Sequence, residues 1–162
     1  MKKEFKISML GELTFFIGLQ VTQTNKGTFI SKSKYLRDKL KQFGMEDCKQ
    51  ASTPMVTGCK LRKYDESHEV NQFIYRTMIG SLLYLTTSRL DIIQVVGLVA
   101  RFQDNPKESH VNVVKRIFKY LQGTLDYGLW YPKGKCFSLI TYTHDTKSTS
   151  GEELMTQKTL TE

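Results

Sequence analysis

Residues 13 to 24 alternate: Leu13, Phe15, Ile17, Leu19 and Val21 fall on one side, and Thr14, Gly18, Gln20, Thr22 and Thr24 on the other. A period of two held over this length commits the segment to a half-buried strand, because a helix would scatter the same residues around its axis. Asn25-Lys26-Gly27 then supplies turn chemistry and Thr28-Phe29-Ile30-Ser31 a short return strand. The chain is therefore expected to open with a β-hairpin closed by a three-residue loop. Phe16 alone interrupts the polar side. A ring among Thr, Gly and Gln there is either a stacking contact for a ligand or an ordinary exposed hydrophobe.

The period then changes. Ser31 or Ser33 can cap a helix running to about Phe43, with Gly44 just past its end and Leu36, Leu40 and Phe43 as its buried stripe. Its other side carries Lys34, Arg37, Lys39 and Lys41 against the single Asp38, and Lys32 stands just before it. Residues 45 to 71 read as a long, largely irregular connection. Two apolar helices are expected next, Gln72 to about Thr86 and Asp91 to about Gln103, with Ile74, Met78, Leu82 and Leu85 as the first buried stripe and Ile92, Val95, Val96, Val99 and Phe102 as the second.

A fourth helix is bounded by Asn105 at the N-cap, Pro106 at the first helical position, Glu108 as capping-box partner and Gly123 after the last turn. Val111, Val114, Phe118 and Leu121 form its apolar stripe, while Lys115 and Lys119 lie opposite. A second hairpin is expected to pair Tyr127–Tyr131 with Phe137–Tyr142, and a disordered tail to follow, since only Leu154, Met155 and Leu160 are apolar in the last 19 residues. The fold class is α+β: an N-terminal hairpin, a four-helix region, a C-terminal hairpin and a tail.

With 24 Lys and Arg against 16 Asp and Glu, the net charge of +8 points to a nucleic acid or another polyanion, or simply to a well-solvated basic domain. A chain of 162 residues buries roughly 70% of its unfolded surface and needs no metal or disulfide to fold. Cys48, Cys59 and Cys136 form no CxxC pair, and no secretory signal precedes them, so an intracellular, reducing setting is expected. The longest apolar stretch, Met78 to Ala100, is cut by Arg89 and Asp91, so no membrane span is expected. His68, His110 and His144 are scattered, and Asp65-Glu66 and Glu152-Glu153 lie in polar sequence without apolar strands to hold them. No metal ligand set and no catalytic residue is assigned. Asp91 reads as the start of a helix.

The strings Leu10-Gly11-Glu12-Leu13-Thr14-Phe15-Phe16-Ile17-Gly18-Leu19-Gln20-Val21, Ser52-Thr53-Pro54-Met55, Met78-Ile79-Gly80-Ser81-Leu82-Leu83-Tyr84-Leu85-Thr86, Ser88-Arg89 with Asp91-Ile92, and Gly128-Leu129-Trp130-Tyr131-Pro132 occur in the order found in copia-type retrotransposon Pol polyproteins. The resemblance runs from about residue 4 to 150 and is strongest to plant elements. It implies that residues 1–31 end a reverse transcriptase palm as a primer-holding hairpin and that residues 32–125 are a thumb-like helical connection. Residues 126–143 would lead into ribonuclease H, and 144–162 would be a degenerate tail. The family's Tyr-Val-Asp-Asp metal-binding turn would lie upstream of this sequence, and the segment carrying the first ribonuclease H aspartate is missing between Asp145 and Thr146. Leu90 replaces the proline usual in that family's Ser-Arg-Pro-Asp.

The resemblance implies a template–primer duplex of RNA or DNA as partner, and magnesium in the intact family but no cofactor in this fragment. Phe16, Gly18, Lys32, Lys34, Arg37, Lys41, Lys115 and Lys119 become the candidate contacts to its backbone. The competing readings are a non-catalytic basic module and a product without selected function. Phe15, Ile17 and Leu19 would face palm elements, so the isolated chain is expected to pair with those elements or to self-associate.

Overall fold

A computed structural model describes residues 15–62, 66–134 and 157–159. Five strands, β1 (Phe15–Phe16), β2 (Leu19–Thr24), β3 (Gly27–Ser31), β4 (Tyr127–Pro132) and β5 (Gln157–Thr159), form one antiparallel sheet in that spatial order. Strands about a hundred residues apart in sequence thus meet: β3 pairs with β4, setting Phe29 opposite Trp130 and Ile30 opposite Leu129. Two glycines make the close approach possible. A Cβ on Gly128 would sit 2.4 Å from the Ile30 carbonyl and 2.7 Å from the Phe29 ring, and one on Gly27 would meet the Tyr131 carbonyl at 2.4 Å.

The single long strand expected over residues 13 to 24 is divided. Ile17 and Gly18 both take positive φ, +48° and +74°, and reverse the chain between β1 and β2, pairing Phe16 with Leu19 and Phe15 with Gln20. The alternation survives the turn, which is why it concealed it. The β2–β3 connection is also tighter than expected. Thr24 pairs with Gly27, leaving Asn25-Lys26 as the loop, and the Thr24 hydroxyl closes it by donating to the Gly27 carbonyl at 2.9 Å.

Four helices, α1 (Ser33–Gln42), α2 (Gln72–Leu85), α3 (Ile93–Ala100) and α4 (Glu108–Gln122), enclose the main core. Leu36 and Leu40 of α1, Tyr75, Ile79, Leu82 and Leu85 of α2, Val96 and Val99 of α3, and Val114, Ile117, Phe118 and Leu121 of α4 are all buried there. Tyr75 is fully buried among them and donates to the Val99 carbonyl at 2.8 Å, so α2 and α3 share a polar contact inside an apolar layer. Ile74, expected in the α2 stripe, is 54% exposed, and Tyr75 takes the inward position instead.

Helix starts differ from the sequence reading in instructive ways. Neither Ser31 nor Ser33 caps α1; Lys32 occupies the N-cap and makes no capping bond. The helix expected from Asp91 begins as a 3-10 turn over Leu90–Ile92, and α3 follows it. For α4 the N-cap is Lys107 rather than Asn105, and Nδ1 of buried His110 accepts the Lys107 N–H at 3.0 Å. Gly44, with φ +64°, follows α1 as expected for a left-handed helix end.

The connection over residues 45 to 71 is irregular but anchored, with the Ala51 N–H on the Lys119 carbonyl and Glu69 bridged to Lys107. Cys48 and Cys59 are free thiols against the core, and Cys136 lies outside the described residues. The expected partner strand at 137–142 also lies outside them, as do His144, Asp145 and most of the tail. The tail's described part, Gln157–Thr159, pairs with the second edge of β4 and so satisfies backbone groups there.

Candidate nucleic-acid interface

The β1–β2 tip projects three apolar side chains into solvent: Phe15 is 55% exposed, Phe16 53% and Ile17 74%. It is also strained. A β-branched residue at φ +48° is a rare conformation costing about 1–3 kcal/mol, and such residues persist only where their surroundings over-determine them. Here the determinant is Tyr84, at the end of α2, whose hydroxyl donates to the Ile17 carbonyl. Gly18 admits that hydroxyl, since a Cβ at this position would lie 2.5 Å from the Tyr84 oxygen. Gly18 is therefore needed twice, for its positive φ and for the approach.

Lys32, expected on the surface, is buried instead. Its ammonium lies 3.3 Å from the Tyr84 ring centroid and donates to the Tyr84 carbonyl and the Thr87 hydroxyl. Among the described residues no carboxylate pairs with it, and burial holds its pKa below the ordinary lysine value. Tyr35 packs edge-on to Tyr84 at 4.6 Å, so the ring supporting the turn is itself fixed by two neighbours.

The basic face of α1 begins beside the tip. The Gln20 side chain accepts the Lys34 backbone N–H at 2.8 Å, and the Lys34 ammonium lies 5.7 Å from the Phe15 ring. Lys34, Arg37 and Lys41 follow one another at helical spacing and are all exposed. Arg37 reaches Asp126 at only 3.9 Å with both side chains largely in water, so that contact does little to neutralise it. Hairpin tip and basic face thus form one continuous surface.

Lys115 and Lys119 are exposed on α4, one turn apart. They stand at the other end of α1: Lys115 borders a groove with Gln42, Phe43 and Met45, and Phe43 packs on Phe118 with centroids 5.2 Å apart. The ten residues of α1 span about 15 Å between its two ends.

Two networks were invisible to sequence reasoning. Arg89 is 2% exposed and clasps Asp91 with two bonds of 3.0 and 2.7 Å, while donating to the carbonyl and hydroxyl of Thr124. Tyr120 adds a third bond to Asp91 at 2.7 Å. Asp91 therefore ties the α2–α3 junction to the end of α4. His110 stacks on Phe102 at 4.0 Å, and its Nε2 faces the Arg62 carbonyl while Nδ1 caps α4. Spacing could have hinted at the first, since Arg and Asp two residues apart flank the turn; nothing local marked the second. Among the described residues no three His, Cys, Asp or Glu side chains converge as a metal site, and no helix is long and apolar enough to cross a membrane.

Comparison with known proteins bears on this surface. A family model described as reverse transcriptase (RNA-dependent DNA polymerase) matches residues 1–57, which take in the hairpin and α1. A retrovirus-related Pol polyprotein from transposon RE1 of Arabidopsis thaliana is 32% identical over 142 residues, 88% of this chain. Residues 1–57 thus match a reverse transcriptase model, and most of the chain is similar to transposon Pol polyproteins.

A retrovirus-related Pol polyprotein from transposon TNT 1-94 of Nicotiana tabacum is likewise 32% identical over 133 residues, 76% of this chain. An uncharacterized mitochondrial protein of Arabidopsis thaliana shares 32% over 133 residues. The chain spans about a tenth of the two transposon polyproteins and 53% of the mitochondrial protein. No solved structure matches. The reverse transcriptase match ends in the connection after α1, whereas similarity to the Pol polyproteins continues over most of the chain, so the tip and the basic face both lie within the matched region.

Proposed function

We propose that this Pol fragment holds a template–primer duplex, with the β1–β2 tip against the primer strand and the α1 face along the phosphate backbone. The observation that carries the reading is the strained, exposed turn at Ile17–Gly18, held by Tyr84 beside Lys34, Arg37 and Lys41. A strained turn with its apolar side chains in water contributes nothing to the core, so its rigid placement fits a contact surface better than a packing role. The α1 face, about 15 Å long, carries three exposed cations, enough to meet about three phosphates.

In this reading residues 1–31 are the end of the palm, 32–125 a thumb-like region, and 126–143 the lead into a ribonuclease H segment. The role assigned to Phe16, Gly18, Lys34, Arg37 and Lys41 is holding, and Lys115 and Lys119 extend the contact toward the far end of α1. Lys32 is left out of the contact set, because its ammonium is turned inward. Binding of a labelled RNA–DNA duplex, followed by fluorescence anisotropy at two salt concentrations, tests the reading. Affinity should fall steeply with salt; no binding at low salt, or binding that salt leaves unchanged, contradicts it.

A further inference from the structure

We infer that Tyr84 is a positioning residue for this interface, with Lys32 as its clamp. The inference rests on the duplex-holding reading and adds to it two residues that do not themselves contact the ligand. Three geometric observations support it. The Tyr84 hydroxyl donates to the carbonyl of Ile17, the one non-glycine residue with positive φ among the described residues. The glycine beside it leaves the space this hydroxyl enters, the virtual Cβ lying 2.5 Å from it. The Lys32 ammonium lies on the Tyr84 ring and bonds the carbonyl of the same residue, and Tyr35 holds the ring edge-on.

The hydroxyl thus fixes a peptide group 67 residues away in sequence. Without it, only the short β1–β2 pairing holds the Ile17 peptide in the left-handed conformation, and the tip is freer to relax toward the extended backbone a β-branched residue prefers. Phe16 and Gly18 would then leave the orientation in which they meet the duplex. Lys32 contributes through Tyr84: it is a buried cation fixing an aromatic ring, and it does not reach the phosphates.

The two roles open to Lys32 predict different salt behaviour, which makes the inference testable. Tyr84→Phe removes the hydroxyl and keeps the ring; Lys32→Met removes the cation and keeps the stem in its buried site. Both variants should bind the RNA–DNA duplex about 5-fold or more weakly at fixed salt, with the slope of log affinity against log salt equal to that of the unaltered chain. In Tyr84→Phe the amide resonances of Gly18 and Leu19 should also shift and sharpen as the turn loosens, with the urea midpoint little changed.

A Lys32→Met slope smaller by about 0.9 would show that Lys32 touches a phosphate, and would overturn its assignment as clamp. Unchanged affinity in Tyr84→Phe, with the unaltered chain binding normally, would overturn the positioning role while leaving the duplex reading intact. Failure of the unaltered chain to bind would instead remove the duplex reading and this inference with it.

Discussion

The side-chain carbonyl of Gln20 in β2 accepts the backbone N–H of Lys34 in the first turn of α1, at 2.8 Å. Helix N-termini leave their first N–H groups without partners, and a Ser, Thr, Asp or Asn ordinarily supplies one. In this chain the N-cap residue, Lys32, has turned its side chain toward Tyr84, so a strand residue supplies the missing acceptor. Gln20→Ala should cost about 1 kcal/mol in urea-induced unfolding, and Gln20→Glu should retain most of that stability because its carboxylate also favours a helix N-terminus. Equal stabilities for the Ala and Glu variants would contradict the capping role.

The turn at Ile17–Gly18 predicts a gain in stability at the expense of binding. A two-residue hairpin loop with positive φ at both positions favours Asn-Gly above other pairs. Ile17→Asn should therefore raise the unfolding free energy by about 1 kcal/mol, since Asn tolerates the left-handed region that Ile does not. The same variant removes the most exposed apolar side chain of the tip, so duplex affinity should fall. A destabilised Ile17→Asn would show that Ile17 is not strained in solution.

Arg89 and Asp91 form a two-bond ion pair at the α2–α3 junction, with Tyr120 and Thr124 completing it. Removing one partner leaves a buried guanidinium without its counter-charge, which costs about 3 kcal/mol or more. Asp91→Ala should be destabilised by that amount. Arg89→Met together with Asp91→Ala should be destabilised by less than the sum of the single changes, and additive losses in a double-mutant cycle would deny the coupling.

Alkaline pH should unfold the protein through its buried phenols. Burial raises the pKa of Tyr75 far above the ordinary tyrosine value, and burial together with the neighbouring Asp91 pushes Tyr120 up to about 12. A raised folded-state pKa contributes stability that is fully present below pH of about 10 and is lost as pH rises toward the folded value. Urea midpoints should therefore decline above pH of about 10, and the decline should be shallower in Tyr75→Phe. Parallel curves for the two proteins would contradict this assignment.

Where signals were local, the sequence was readable. Gly44 ends α1, the 3.6-residue spacing of Leu36 and Leu40 marks its buried face, and Val114, Phe118 and Leu121 do the same for α4. What escaped depended on residues distant in the chain. Ile17 is a poor turn former, and the contact from Tyr84 that supports it there lies 67 residues away. Lys32 reads as a surface lysine until the ring that shields it is in view. The joining of β3 to β4 needs two glycines a hundred residues apart, each with an aromatic ring of the facing strand across it. The exposed lysines of α1 were legible because helical spacing alone puts Lys34, Arg37 and Lys41 on one face; their adjacency to the tip was not, because it runs through Gln20 and Phe15.

The duplex-holding role of that face is tested most directly by its share of the salt dependence. Lys34, Arg37 and Lys41 should be changed together to Ala, and compared with a control in which the exposed Lys26, Lys49 and Lys60 are changed instead, so that both proteins lose the same charge. RNA–DNA duplex affinity is then measured across a salt series. Each phosphate contact contributes about 0.9 to the slope of log affinity against log salt, so the α1 variant should lose about 2 to 3 from its slope and the control close to nothing. Equal slopes for the two variants would show that the duplex senses only net charge, and would contradict the assignment of this face as the interface.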